Sequence, residues 1–196
     1  MASAPSDGLV GTMKRAAAAL RSTGRPFALA GGMAIWARGG PTSDHDVDFA
    51  LREEDVDAAV AALDAAGFRT ERAPEGWLAK AWDGDVLVDL IFALKGIPVD
   101  DELLARCERM DVAATSLLVL TATDVLTSRL LAMDEHRLDY TAIVGWGRSL
   151  REQVDWETLA RRTAESPLAG AYFVILRGLG IEEAAAEAGR VEESVR

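Results

Sequence analysis

The sequence predicts an α/β (α+β) fold, with a small mixed β-sheet core over residues 1–120 and a helical subdomain over 121–196. Three observations predict it. Short apolar or alternating runs bounded by Gly, Pro and Asp fill the first half and read as strands. Helical periodicity separates several of these runs, the interleaving expected of a mixed sheet. From Thr123 onward the period is helical almost to the end, with breaks expected near 145–147, at Ser166-Pro167 and near 178–180.

Each element has its own local signal. Residues 9–21 carry Val10, Met13 and Ala17 on one helical face, and Gly24 follows to stop the run. Pro26 opens an apolar strand, Phe27-Ala28-Leu29-Ala30. Gly31-Gly32 comes next, and 33–38 reads as a short helix closed by Gly39-Gly40-Pro41. Asp46-Val47-Asp48-Phe49-Ala50-Leu51 alternates as a strand does. An amphipathic helix is predicted over 53–66, with Val56, Val60 and Leu63 on one face and Gly67 as its stop. Residues 68–72, 78–82 and 86–92 read as three strands, the last two joined by an Asp83-Gly84 hairpin turn. A helix is expected over 100–109 and a brief strand over 117–120. The Ala/Glu-rich end, 182–196, is expected to fray.

Composition narrows the function classes. With 196 residues, 49% of them hydrophobic and 27% charged, the chain can bury a sizeable core. No apolar run approaches the roughly 18 residues of a membrane span, and Met1–Gly8 lacks the basic and apolar regions of a secretory signal. Cys107 is the one cysteine, so neither an internal disulfide nor a thiolate metal site is available. The expectation is a cytoplasmic protein with no membrane partner. A net charge of -11 opposes binding of polyanions by bulk electrostatics.

Three features carry chemistry. Gly31-Gly32 lies between a strand and a helix, where glycine lets the backbone come close to a ligand and helix-start N–H groups suit a phosphate. The same pair also serves a plain tight turn. In Asp46-Val47-Asp48, strand alternation projects both carboxylates to one face while Val47 and Phe49 enter the core. Paired carboxylates repel unless a cation neutralises them, and Mg²⁺ takes one or two carboxylates together with substrate phosphates. Asp89 interrupts the apolar run Val86-Leu87-Val88-Asp89-Leu90-Ile91-Phe92, where an acid is costly to bury without a partner. If the two strands are neighbours, Asp89 completes a three-carboxylate cluster able to hold two metal ions.

Ala30-Gly31-Gly32-Met33-Ala34, a gap of thirteen residues after Gly32, Asp46-Val47-Asp48-Phe49 and then Val88-Asp89-Leu90 together resemble the polymerase-β-type nucleotidyltransferase superfamily. The chain is most similar to its AbiEii-type toxins of bacterial toxin–antitoxin and abortive-infection systems. The resemblance covers 27–92, and 121–145 more weakly. It implies a nucleotidyltransferase core that moves an NMP from an NTP to a hydroxyl, with Mg²⁺ (or Mn²⁺) held by Asp46, Asp48 and Asp89. It further implies Gly31 and Gly32 at the triphosphate, and Asp89 assisting deprotonation of the acceptor. Arg129 fills a position where these toxins carry Lys, and Asp139 would be their downstream acid. Thr42 stands one spacing too early for the family pattern, and Asp44 occupies the Thr position. An Asp44/Asp46 register would place His45 where an apolar core residue is wanted.

The resemblance implies an acceptor in tRNA or protein and a cognate antitoxin. That toxin reading leads, and the second is modification of a small hydroxylated compound such as an aminoglycoside or lincosamide; the acidic surface suits a cationic aminoglycoside better than tRNA. A third reading is a non-catalytic nucleotide-binding or interaction module of the same fold. His45, His136 and Cys107 make no zinc spacing. The five tryptophans read as core or groove lining, and Arg148, Arg151, Arg161 and Arg162 as a solvated helix surface.

Overall fold

Strand pairing in the computed structural model, which describes residues 5–41, 46–72 and 76–181, begins from a hairpin-like return. Helix α1 (Asp7–Ser22) leads into β1 (Phe27–Leu29), α2 (Gly31–Ala37) and β2 (Asp46–Leu51). A 3₁₀ turn, Glu53–Asp55, precedes α3 (Val56–Ala65), then β3 (Arg69–Arg72), β4 (Leu78–Asp83) and β5 (Val86–Ile91). A two-residue hairpin, β6 (Ala93–Leu94) with β7 (Ile97–Pro98), leads to α4 (Asp101–Ala105), β8 (Glu108–Val112) and β9 (Thr115–Val119). Four helices follow: α5 (Ala122–Leu131), α6 (Tyr140–Ser149), α7 (Trp156–Thr163) and α8 (Pro167–Gly178). The expected fraying of 182–196, and Asp44 with His45, lie outside the described residues.

Seven strands form one mixed sheet in the order β3-β4-β5-β2-β1-β9-β8. β2 runs parallel to β5 and β1 parallel to β9, and the other pairs are antiparallel. Alternation divides the two faces. Val47, Phe49, Ala79, Ala81, Val88 and Leu90 are buried on the face that α1 and α3 cover. Asp83 shares that face, accepting a hydrogen bond from the Thr12 hydroxyl at 2.9 Å and an ion pair from Arg15 at 2.8 Å. Asp46, Asp48 and Asp89 project from the opposite face.

Two sequence expectations are corrected. The helix predicted to Arg109 ends at Ala105, and Glu108–Val112 is instead a strand paired with β9. The connecting turn is made by Ala113 and Ala114, both at positive φ (49° and 61°), so the usual Gly or Asn hairpin signal is absent. The break expected at 145–147 does not occur, because α6 runs through it. Gly147 is the point of closest helix packing there: a Cβ would meet the Tyr172 hydroxyl and the Trp156 ring. The stop at Ser166-Pro167 is as expected, with Ser166 capping α8 and Pro167 at its first turn.

Buried charge ties α5 to α7 and to the segment before β8. Asp124 on α5 is 1% exposed and accepts from Arg106 Nε at 3.1 Å, from Arg162 Nη1 at 2.7 Å and from the Thr121 hydroxyl at 2.8 Å. Arg162, exposed at the surface as expected, thus also anchors α7. Arg38, also buried, donates from Nε to the Leu120 carbonyl at 2.6 Å and so holds the end of α2 to the exit of β9. Among the described residues no helix is long and apolar enough to cross a membrane.

Asp124→Ala strands two arginines around an emptied, desolvated position, and we expect a loss of about 3 kcal/mol in urea unfolding. A second test concerns pH. Asp155 caps α7, accepting from the Thr158 amide (2.9 Å) and hydroxyl (2.8 Å), and these bonds hold its carboxyl below the ordinary aspartate value. A lowered pKa contributes stability above the unfolded value, near 4, that is lost as pH falls through the lowered one. Asp155→Ala should therefore cost about 1 kcal/mol at pH 7. The difference from wild type should shrink in thermal melts taken progressively below pH 4.

Candidate active site

Parallel pairing of β2 with β5 places Asp48 directly opposite Asp89, with Asp46 one residue pair away on the same face. One carboxylate oxygen from each of the three lies within 4.8 Å of the others, and all three residues are half-buried. Unit charges at that separation repel by roughly 3 kcal/mol per pair at an effective dielectric of about 20. Burial, then the charges of Asp46 and Asp89, push the Asp48 carboxyl well above its ordinary value, and Arg129 partly opposes this. A donor set made only of carboxylate oxygens fits a hard divalent cation such as Mg²⁺ or Mn²⁺.

The start of α2 closes the other side. The Ala30 amide donates to the Asp48 carbonyl at 2.9 Å, which sets the next residue, Gly31, against the Asp48 side chain. Gly31 has φ +54°, and any Cβ there would fall on the Asp48 carboxylate. Its glycine identity thus answers to two constraints, a left-handed backbone and a close approach by the acid. Gly32 is buried beneath the same turn. Arg129 is exposed on the last turn of α5, a helix packed on α2, and its charge acts on Asp48.

The remaining candidates fall elsewhere. Asp139 is exposed and caps α6, accepting from the Ala142 amide at 3.3 Å, and it does not join the carboxylate cluster. His136 is exposed beside Glu135. Trp77 is 41% exposed and so is not core, whereas Trp156 is buried with its indole N–H on the Arg151 carbonyl. Sequence reasoning missed what surrounds Asp89 on β4: Lys80 stands directly opposite it, a pairing that depends on hairpin register.

No family model matches the sequence, and no curated protein matches it closely. Solved structures match in fold. The solution structure of the antibiotic-resistance factor ANT(2'')-Ia aligns with a TM-score of 0.52 at 19% identity, over 97% of this chain and 95% of that one. A crystal structure of ANT(2'')-Ia in complex with adenylyl-2''-tobramycin gives 0.52 at 18% identity, over 95% and 98%. The lincosamide antibiotic adenylyltransferase LnuA, with lincomycin bound, gives 0.50 at 10% identity, over 74% of this chain and 98% of that one. The mixed α/β chain described above thus has the fold of these nucleotidyltransferases.

Gly31→Ala tests the close approach. The substitution should cost about 1–2 kcal/mol for the left-handed backbone alone. Mg²⁺ should raise the melting temperature of the wild type, and the substitution, by forcing the Asp48 carboxylate aside, should abolish that rise.

Proposed function

We propose that this protein is a divalent-metal-dependent nucleotidyltransferase, moving a nucleoside monophosphate from an NTP to a hydroxyl acceptor and releasing pyrophosphate. The observation that carries the reading is the convergence of Asp46, Asp48 and Asp89 on one sheet face beside the start of α2. Three intact carboxylates disfavour a non-catalytic module. In this reading Asp46, Asp48 and Asp89 hold Mg²⁺, which when bound neutralises their charge and polarises the phosphate under attack. Gly31 and Gly32 stand at the triphosphate, as the family resemblance implies, and Arg129 supplies a cation that neutralises it. Asp89 takes the proton from the acceptor hydroxyl. The acceptor oxygen then bonds to the α-phosphorus as the bond to the bridging oxygen breaks, and that oxygen leaves with the electron pair as pyrophosphate. The α/β part up to β9 supplies the catalytic core and helices α5–α8 close the cleft over it, in a cytoplasmic protein.

For the acceptor we favour a small hydroxylated compound. The net charge of -11, which opposes a polyanion such as tRNA, and the near full-length likeness in fold to ANT(2'')-Ia support that choice. The second reading is a toxin acting on tRNA or protein under a cognate antitoxin, and it rests on the AbiEii-like motif over 27–92. Drug resistance on expression would favour the first, and growth arrest the second.

The test is transfer of label from α-³²P-NTPs with Mg²⁺ to aminoglycosides, lincosamides, total tRNA and cell protein. Asp46→Ala and Asp48→Ala should each lower transfer by at least about 10³-fold, about 4 kcal/mol of transition-state stabilisation. Undiminished labelling by both variants would refute the assignment.

A further inference from the structure

Beyond the carboxylates, the same sheet face continues across β5, β4 and β3. In one register row Arg69, Trp82 and Leu87 stand side by side and lead to Asp46. The Arg69 guanidinium lies over the indole of Trp82, 3.8 Å from the ring centroid, and Trp82 and Leu87 are half-buried. In the neighbouring row Glu71 and Lys80 lead to Asp89. The helices α1 and α3 cover the opposite face, so these two rows form a shelf beside the acids.

We propose that this shelf is the acceptor subsite, and that Trp82 and Leu87 seat a compact saturated ring compound bearing hydroxyls. The inference rests on the nucleotidyl-transfer reading and adds to it a location and a chemical class for the acceptor. Phosphoryl transfer sets the attacking and leaving oxygens roughly in line through phosphorus. Gly31 and Gly32 open α2, which follows β1, and Arg129 lies on α5, packed on α2, so in the nucleotidyl-transfer reading pyrophosphate departs toward α2 and α5. The acceptor hydroxyl must then enter from the other side, over β5 and β4, where Asp89 is the first carboxylate it meets.

The shelf has the size and chemistry of a ring and not of a nucleic-acid strand. From β5 to the sheet edge at β3 is two inter-strand spacings, about 10 Å, enough for one or two sugar-sized rings. An indole and a leucine offer an apolar wall to the C–H face of such a ring, and stacking by Arg69 holds that wall in place. A phosphate backbone needs a track of cations. Here Lys80 stands in register between Glu71 and Asp89, and Arg69 lies over Trp82 and 4.0 Å from Glu71.

The experiment measures kinetics with Mg²⁺ and α-³²P-ATP on wild type, Trp82→Ala and Trp82→Phe, with tobramycin, lincomycin and total tRNA as acceptors. Equilibrium dialysis of Mg²⁺–ATP runs beside it. The expected result is label on tobramycin or lincomycin. Trp82→Ala should then raise the acceptor KM at least tenfold and leave the KM for ATP within twofold, while Trp82→Phe restores most of the loss. An unchanged acceptor KM in Trp82→Ala overturns the proposal, as does label on tRNA alone or on no acceptor by a protein that binds Mg²⁺–ATP. Failure of the wild type to bind Mg²⁺–ATP overturns the nucleotidyl-transfer reading itself, so the two failures are distinguishable.

Discussion

Mutual repulsion of three carboxylates is the constraint around which the rest of this structure is arranged. The parallel register of β2 and β5 forces Asp48 and Asp89 into adjacent positions, and strand alternation adds Asp46. Such a cluster opposes folding unless something else holds the strands together. The reverse face supplies that: Val47, Phe49, Val88 and Leu90 are fully buried beneath helices, so the strands cannot slip by one residue without turning their core side chains to solvent. The acids are thus pressed together by apolar burial on the other side of the same two strands.

The surroundings of the cluster are organised in the same way, by fixed backbone and fixed charge. The Ala30-to-Asp48 hydrogen bond and the left-handed Gly31 bring the start of α2 against the Asp48 carboxylate. Arg38 fastens the end of that short helix to the segment leaving β9. Asp124, gripped by Arg106 and Arg162, joins α5 to α7 and to the segment between α4 and β8. Arg129 sits on the α5 that these contacts hold. The helix carrying a cation whose charge acts on Asp48 is therefore held by buried polar contacts from residues far from it in sequence.

The likeness in fold to ANT(2'')-Ia and LnuA gains meaning from this arrangement, because a fold hosts many chemistries while a site is specific. What directs the reading to nucleotidyl transfer is the combination of a hard-cation donor set and a helix start where a Cβ would displace Asp48. The proposed reading sets leaving group, reacting phosphorus and acceptor in order from α2 to β3.

Much of this was legible in the residues. The strands carrying the acids, the Gly31-Gly32 turn and the Asp83-Gly84 hairpin follow from local signals: period-two alternation, glycine where the chain must turn, and an acid interrupting an apolar run. Those signals are local because a strand's two faces and a turn's backbone depend on a few adjacent residues. The β8–β9 hairpin was hidden because Ala113 and Ala114 adopt turn conformations that alanine does not advertise. Gly147 looked like a helix break but is a contact point for Tyr172, and Arg162 is a surface charge that also pairs with Asp124. Each of these depends on residues tens of positions away. So do the meeting of Asp48 with Asp89 and the placing of Lys80 and Trp82 beside them. Sequence alone determined which side chains face together along each strand; only tertiary pairing decided which strands are neighbours and in what register, because that choice is set by burial summed over the whole sheet.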